Sequence, residues 1–561
     1  MIFKENWKAV RGVLAVLLAF VMLLLIGCDG SEQTSSVTSG STSSDTHSSS
    51  SSESSVGDVS SESSVSENVD SEYVSQNTAS INPLLGEFSH QSTTSNINDA
   101  FDEIIPVGNT ANLSNPLKGY YDKEAEALRQ EILNTKNTEE YYKITGTTYY
   151  FSSVSGNDSN GGTSPETPLK SVDMLSGLTL NKGDAVLFER DSVFRLYTAI
   201  LADEGVIYGS YGTGEKPKIY ASPMNLAEAE WTPSVKRNVW QMDYSYTDCG
   251  SMIFEHGKEI GYKKDSLRSV NKNTYYYLDI SSKILYLYCD KGNPAKVYKS
   301  IEIATDTPII NVPSGVNNVV IDNLCLKYSG LFAITGAWNT KNLTVTNCEI
   351  GYIGGCKLNG GSRYGNAIQV WTGTENMICD HNWIYQTFDT AISWQGFGGS
   401  DFSYENISFS DNLLEYNNAD FEFWDSGATL KNFKMEGNIM RFTSLGWGTR
   451  ADDGGIRGIE GCINGDTHDM LAENITVKNN IMDCPGREII QWQFVLEELG
   501  KTIFVSGNKI HVNYSYRTEN EIVKGYMVNK DANQQSKYAD TAEEFIEALK
   551  IFDPTALLEW N

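Results

Sequence analysis

Four segments in the second half of the chain repeat one alternation: NAIQVW (366–371), DTAISW (389–394), DFEFWD (420–425) and EIIQWQ (488–493). If Ile368, Ile392, Phe421 and Ile490 point inward, then Gln369, Ser393, Glu422 and Gln491 point outward in one column, because side chains alternate along a strand. Asp420 and Trp424 then share the face of Glu422, and Trp394 is a further aromatic candidate. A carboxylate beside an aromatic ring on a solvent-facing sheet suits a sugar. The ring covers an apolar pyranose face, and the carboxylate bonds hydroxyls or moves a proton.

More acids follow. Asp389 opens the segment before Glu422, and SLGWGTRADDGGIRGIEG (444–461) brings Asp452, Asp453 and Glu460. Strands on neighbouring coils lie about 4.8 Å apart. Carboxyl groups about 5–5.5 Å apart serve a retaining glycosidase, and about 6.5–9.5 Å an inverting one. Crowded like charges also raise one pKa, which makes a general acid. The catalytic candidates are therefore a pair drawn from Glu422, Asp389, Asp452, Asp453 and Glu460, with Glu422 first. Gln369, Trp394, Asp420, Trp424, Arg450 and Arg363 are the substrate-binding candidates. Simple solvation of an acidic face is the alternative for each acid.

The elements that position these groups form a repeat. NVVIDNLCL, NLTVTNCEI, NMICDHNWI, NISFSDNLL, NFKMEGNIM, NITVKNNIM and TIFVSGNKI each hold an alternating strand, a polar break, an Asn and an apolar pair. The Asn falls at 323, 347, 382, 412, 438, 480 and 508, at intervals of 24, 35, 30, 26, 42 and 28 residues. A fixed local motif on an irregular period above twenty marks a solenoid. Asn tolerates the left-handed turn and bonds backbone, so stacked coils predict an internal ladder of seven Asn. In the 42-residue coil, two strand registers are open: Leu445–Trp447, or Ile459–Glu460 with Glu460 on Glu422.

These fragments resemble the right-handed parallel β-helix of the pectin-lyase-like superfamily over most of 146–512. YYFSSVSGNDSNGGTSPETPL, GDAVLFERDSVFR and YGSYGTGEKPKIYAS look like opening coils of secreted bacterial β-helix carbohydrate-active enzymes. The resemblance implies an all-β fold: a parallel β-helix solenoid with an Asn ladder, a small β insertion and terminal helical caps. It also implies a glycoside hydrolase or polysaccharide lyase. The uronate lyases of this fold use Ca²⁺ on Asp/Glu, or Arg, with a Lys or Arg base. Ca²⁺ on Asp420, Glu422 and Asp425, with Lys357, Arg363, Arg450 and Arg457 nearby, is that alternative. No column position holds Lys or Arg, which weighs against it. His381 reads as a turn residue. A non-catalytic glycan-binding surface protein is the third reading, since fold does not fix function.

The chain begins as an address. Lys4, Lys8 and Arg11 precede an apolar run from Val13 to Ile26, and Leu25-Ile26-Gly27-Cys28 resembles the lipobox of bacterial lipoproteins. That resemblance implies cleavage before Cys28 and its lipidation. Residues 31–80 are Ser-rich, with almost no large apolar residue, and predict a disordered tether spanning roughly 40 Å. The expected location is the outer face of a bacterial cell membrane, Gram-positive by the simpler reading of Asp29.

The expected organisation is a signal peptide over 1–27, a tether over 28–83, and a linker with a cap helix over 84–145. First coils over 146–224, a β insertion over 225–305, coils carrying the active face over 306–515, and a C-terminal cap over 516–561 complete it. With 43 Lys+Arg against 72 Asp+Glu, the net charge is -29, which excludes a nucleic-acid phosphate binder and a partner held by anionic lipid. Such charge repels a polyuronate and favours neutral glycans such as xylan. The remaining partners are a polysaccharide and a membrane reached only through the lipid, and the protein reads as a monomer. The eight cysteines after Cys28 form no CxxC pair and read as buried thiols.

Overall fold

The computed structural model describes residues 117–357, 363–396, 401–425, 427–450, 461–465, 471–486, 489–492, 500–513, 527–528 and 541–560. Cys28 and its tether lie outside these residues, as do Asp452, Asp453, Arg457 and Glu460.

Each coil contributes one strand to each of three parallel sheets, of ten, ten and nine strands. One coil runs Val320–Asp322, Cys325–Lys327 and Ile334–Gly336, and the next resumes at Thr344–Thr346. The register stacks like on like. Ile321, Val345, Cys379 and Phe409 align in the first sheet, Leu326, Ile350, Ile384 and Leu414 in the second. Ile334, Ile368, Ile392, Phe421, Ile463 and Ile490 align in the third. All belong to one buried cluster along the solenoid axis. Period-two alternation thus sends every second residue into a shared core, and each fully buried aliphatic or Phe side chain contributes about 1.5–3 kcal/mol. The chain is a parallel β-helix.

The ladder is present but shorter than seven, and its phase changes. Asn382, Asn412, Asn438, Asn480 and Asn508 each donate Nδ2 to the next Oδ1, at 2.9–3.0 Å, and the last bonds Asp553 at 2.7 Å. Asn323 and Asn347 stand one residue earlier, at φ 59° and 54°, in the left-handed position that His381 and Asp411 fill on later coils. Leu324 and Cys348 occupy their ladder places. A second ladder runs through the first letters of the same fragments. Asn318, Asn342, Asn376, Asn406, Asn432 and Asn474 all have φ of 51–60° and bond in series at 2.8–2.9 Å.

The long coil follows neither expected register. Its strand in the third sheet is Ile463–Gly465, so Asn464 stacks on Glu422, and Trp447–Thr449 is a 3-10 turn.

The helix Asp122–Leu133 does not cover an end of the solenoid. It lies on the outer face of the second sheet, where Tyr121, Ala125 and Ile132 pack with Tyr328, Tyr352, Trp383 and Tyr385. An aromatic outer face needs such cover. Arg129 crosses to Glu415 at 2.6 Å, into a column of alternating acidic and basic side chains: Glu415, Arg441, Asp483, His511 and Glu559 align strand by strand. At the other end, the helix Ala542–Phe552 starts on Thr541, whose Oγ1 accepts from the Glu544 amide at 3.2 Å. It seats Phe545, Leu549 and Phe552 on the core as a cap.

Between Thr232 and Thr305 the coils are interrupted by a five-stranded and a three-stranded sheet with their own core. The eight cysteines from Cys249 to Cys484 are free and buried.

Candidate active site

The third sheet carries the column. Asn311, Thr335, Gln369, Ser393, Glu422, Asn464 and Gln491 align residue for residue across consecutive strands. Glu422 sits on the strand Ala419–Trp424. Its inward neighbours Phe421 and Phe423 anchor it in the core and turn its carboxylate outward. Ser393 Oγ on the preceding coil donates to Glu422 Oε2 at 2.5 Å, and Gln395 Nε2 donates to the same oxygen. Glu422 is 5% exposed, so its carboxylate is held in a narrow setting rather than solvated on an open face.

One step along each strand lies a second row. Trp371, Gln395 and Trp424 align, putting two outward indoles two coils apart, about 10 Å, on either side of Gln395. Trp424 is 37% exposed. Trp371, Gln395 and Asn464 were not singled out from sequence. Trp371 and Gln395 follow Gln369 and Ser393 by two residues, so the same alternation places them on the outward face. Asn464 required the register of the long coil.

Asp420 lies on the strand of Glu422 but is sealed, level with the core residues Ala391 and Cys462 rather than on the outward face that alternation predicts. Its carboxyl accepts Asn417 Nδ2 at 3.0 Å and bonds Thr443 Oγ1. Burial pushes its pKa up to about 8, so it is protonated at neutral pH. Asp389 is buried at the start of the Ser393 strand, four residues before Ser393, where its carbonyl accepts the Asn418 and Ala419 amides. Gln369 is fully buried, accepting from Asn366 Nδ2.

Three binding candidates take other places. Trp394 points inward, 1% exposed, its ring 5.4 Å from Phe421, because it falls on the core phase of the alternation. Arg450 is buried and gives its guanidinium to the carbonyls of Ile260 and Gly261, both at 2.6 Å, over the Tyr262 ring. Arg363 is buried too, donating to the carbonyls of Gly355 and Gly250 and lying 4.2 Å from the Phe388 ring centre. Both arginines fasten the insertion to the coils, since a guanidinium with five donors satisfies turn carbonyls that strands leave over.

The described acids do not fit a Ca²⁺ ion at Asp420, Glu422 and Asp425. Asp420 is fully buried against Asn417 and Thr443, and Asp425 accepts Thr372 Oγ1 at 3.0 Å and Tyr404 Oη at 2.9 Å in full burial. Hard cations need several free oxygen ligands. Asp483, Cys484 and His511 bring donor atoms within 4.8 Å of one another on the second sheet. There Asp483 already accepts His511 Nδ1 at 2.7 Å, Arg441 Nε at 3.3 Å and the amides of Tyr120 and Tyr121. The hydrogen-bonded column of acidic and basic side chains accounts for that cluster.

The fold and the column together define a parallel β-helix whose third sheet, among the described column residues, holds the carboxylate of Glu422 outward between hydrogen-bonding side chains and indoles. No family model matches the chain. A stretch of 102 residues is 34% identical to lacto-N-biosidase of Bifidobacterium longum subsp. longum, covering 17% of this chain. It spans only 6% of that relative's length. Among solved structures, the chain is similar to the GH136 lacto-N-biosidase from Eubacterium ramulus, at 16% identity and a TM-score of 0.37. That match covers 68% of this chain and 59% of the other. It is also similar to pectate lyase Pel9A, at 12% identity and a TM-score of 0.30, over 71% and 79%.

Proposed function

We propose that the protein hydrolyses glycosidic bonds of a neutral plant or microbial polysaccharide, with Glu422 as one of two working carboxylates. The observation that carries this is the pair of donors on Glu422 Oε2, from Ser393 and Gln395, beside the outward Trp424. A carboxylate so oriented is preorganised for work at a bond laid across the column. The indoles of Trp371 and Trp424 offer the sugar faces a seat, and Gln395 and Asn464 offer hydroxyl partners. The second carboxylate comes from Asp389, Asp452, Asp453 or Glu460. Protonated Asp420 holds the strand to the Thr443 turn and stays out of the reaction.

Elimination fits less well. It asks for cations against a uronate, and Arg363 and Arg450 are both spent on backbone carbonyls. The test follows reducing ends and unsaturated uronide together, on a panel of neutral and acidic polysaccharides, with and without Ca²⁺. Reducing ends alone on a neutral polymer support hydrolysis. Unsaturated product overturns it.

The same reading puts the enzyme on the cell surface, with Cys28 lipidated and the Ser-rich segment as its tether. Cys28→Ala then releases it from membranes, and membrane retention of that variant overturns the anchor.

A further inference from the structure

The insertion presents a face that the column does not use. Its five-stranded sheet turns Trp240, Met242, Tyr276, Leu278, Leu285 and Leu287 toward its own core. By alternation the other face carries Gln241, Tyr277, Tyr286 and Tyr288. Tyr277 and Tyr286 are cross-strand partners, half-buried and near-parallel, with ring centres 6.1 Å apart at 12°. Gln241 continues the same row on the next strand. On this same face Tyr277, Tyr286 and Tyr288 pack against Val239, Val270 and Tyr275, which stiffens one end of it. Beyond Tyr288, whose Oη accepts Asn238 Nδ2 at 3.2 Å, a cavity of about 160 Å³ is lined by Arg237, Asn238, Trp240 and Asp290 among others.

We propose that this tyrosine face, with its adjoining cavity, is a second glycan-binding surface, which holds a neutral polysaccharide chain while the column works on it. Near-parallel rings with an amide in the same row match alternating apolar and hydroxyl surfaces of a sugar chain. A stable protein partner needs about 800 Å² per side around an apolar centre. Three half-exposed tyrosines and amides do not supply that centre. Lys264 stands beside Tyr277 on this face, its ammonium 4.2 Å from the Tyr275 ring centre, opposite the acids Asp243 and Asp279, and the whole chain carries -29, which disfavours a polyuronate. The choice of polymer rests on the proposed hydrolysis, but the binding does not.

The test is migration of the full chain in native gels cast with soluble xylan, mixed-linkage β-glucan or polygalacturonate. Wild type and Glu422→Gln should both be retarded by a neutral polymer. Tyr277→Ala/Tyr286→Ala should lose the retardation, at least tenfold in dissociation constant, with unchanged turnover of a short soluble oligosaccharide. Tyr277→Phe/Tyr286→Phe should keep it, because the rings remain. Gln241→Ala, which removes no packing ring, should weaken it without touching stability. Retardation of the alanine pair equal to wild type, retardation by polygalacturonate alone, or none in any neutral polymer overturns the proposal. If no glycan is hydrolysed but retardation still depends on the two rings, the proposed function falls and this surface stands. If Glu422→Gln abolishes hydrolysis while the ring variants bind as wild type, the reverse holds.

Discussion

Asp420 and Glu422 stand two residues apart on one strand, and the chain treats them differently. Asp420 is fully buried under Thr443 and keeps its proton to about pH 8. Glu422 is held by Ser393 and Gln395 in the outward row between Ser393 and Asn464. Spacing along the strand made them a pair; the turn after Ile439–Arg441 on the next coil, which carries Thr443, separates their roles.

Asp420 therefore sets a pH dependence on the alkaline side. Its folded pKa lies above the unfolded value near 4. Below about pH 4 both states are protonated. Between about pH 4 and 8 unfolding releases a proton, so this group's contribution to stability falls as pH rises, and above 8 the loss is complete. Asp420→Asn removes it. The melting temperature of the variant relative to wild type should climb from pH 4 to 8 and then level off. A constant difference across that range would contradict the assignment.

Glu349 acts on the acid side. Burial alone would raise its pKa, but the Lys327 ammonium at 2.7 Å and the Tyr385 hydroxyl hold it down to about 2. Its stabilisation is complete above the unfolded value near 4.3 and is lost as pH falls toward 2. Lys327→Met strands the carboxylate, which should cost about 3–5 kcal/mol at neutral pH. Because burial then raises the Glu349 pKa, the variant's deficit against wild type should shrink as pH falls through about 4, as read by denaturation followed by circular dichroism.

The inner ladder should matter more than the outer one. Asn438→Ala leaves buried backbone groups at Phe409 and Asn412 without partners, and about 1–3 kcal/mol is expected for each. Asn406→Ala breaks a half-buried chain whose groups can turn to water. Chemical denaturation of the two variants should rank them in that order.

The indoles should govern affinity. Trp371→Ala and Trp424→Ala should each raise KM about tenfold, which corresponds to about 1.4 kcal/mol, and lower kcat less. An effect on kcat alone would place them at the reacting bond instead.

Much of this was legible in the residues, and the failures have physical causes. Gln369, Ser393, Glu422 and Gln491 could be aligned because period-two alternation on flat parallel strands leaves one choice of face. The same rule, applied to Trp394, puts it in the core; aromatic chemistry alone does not decide which way a ring points. Asn323 and Asn347 were out of phase because a left-handed turn accepts Asn as readily as the ladder place beside it. The outer ladder stood in plain view as the first letter of six of the seven fragments, yet a leading Asn reads as a loop residue until its neighbours are stacked. Asn464 was hidden because a long coil has no fixed length to count along. The fates of Arg363 and Arg450 depend on the insertion, whose contacts with the coils carry no local pattern.

The most direct test of the account is the rate of reducing-end release from a neutral polysaccharide by wild type and Glu422→Gln, with the melting temperature of each. The account predicts a loss of about 10²–10⁴-fold in kcat for the variant at an unchanged melting temperature. Equal rates in the two proteins would contradict it.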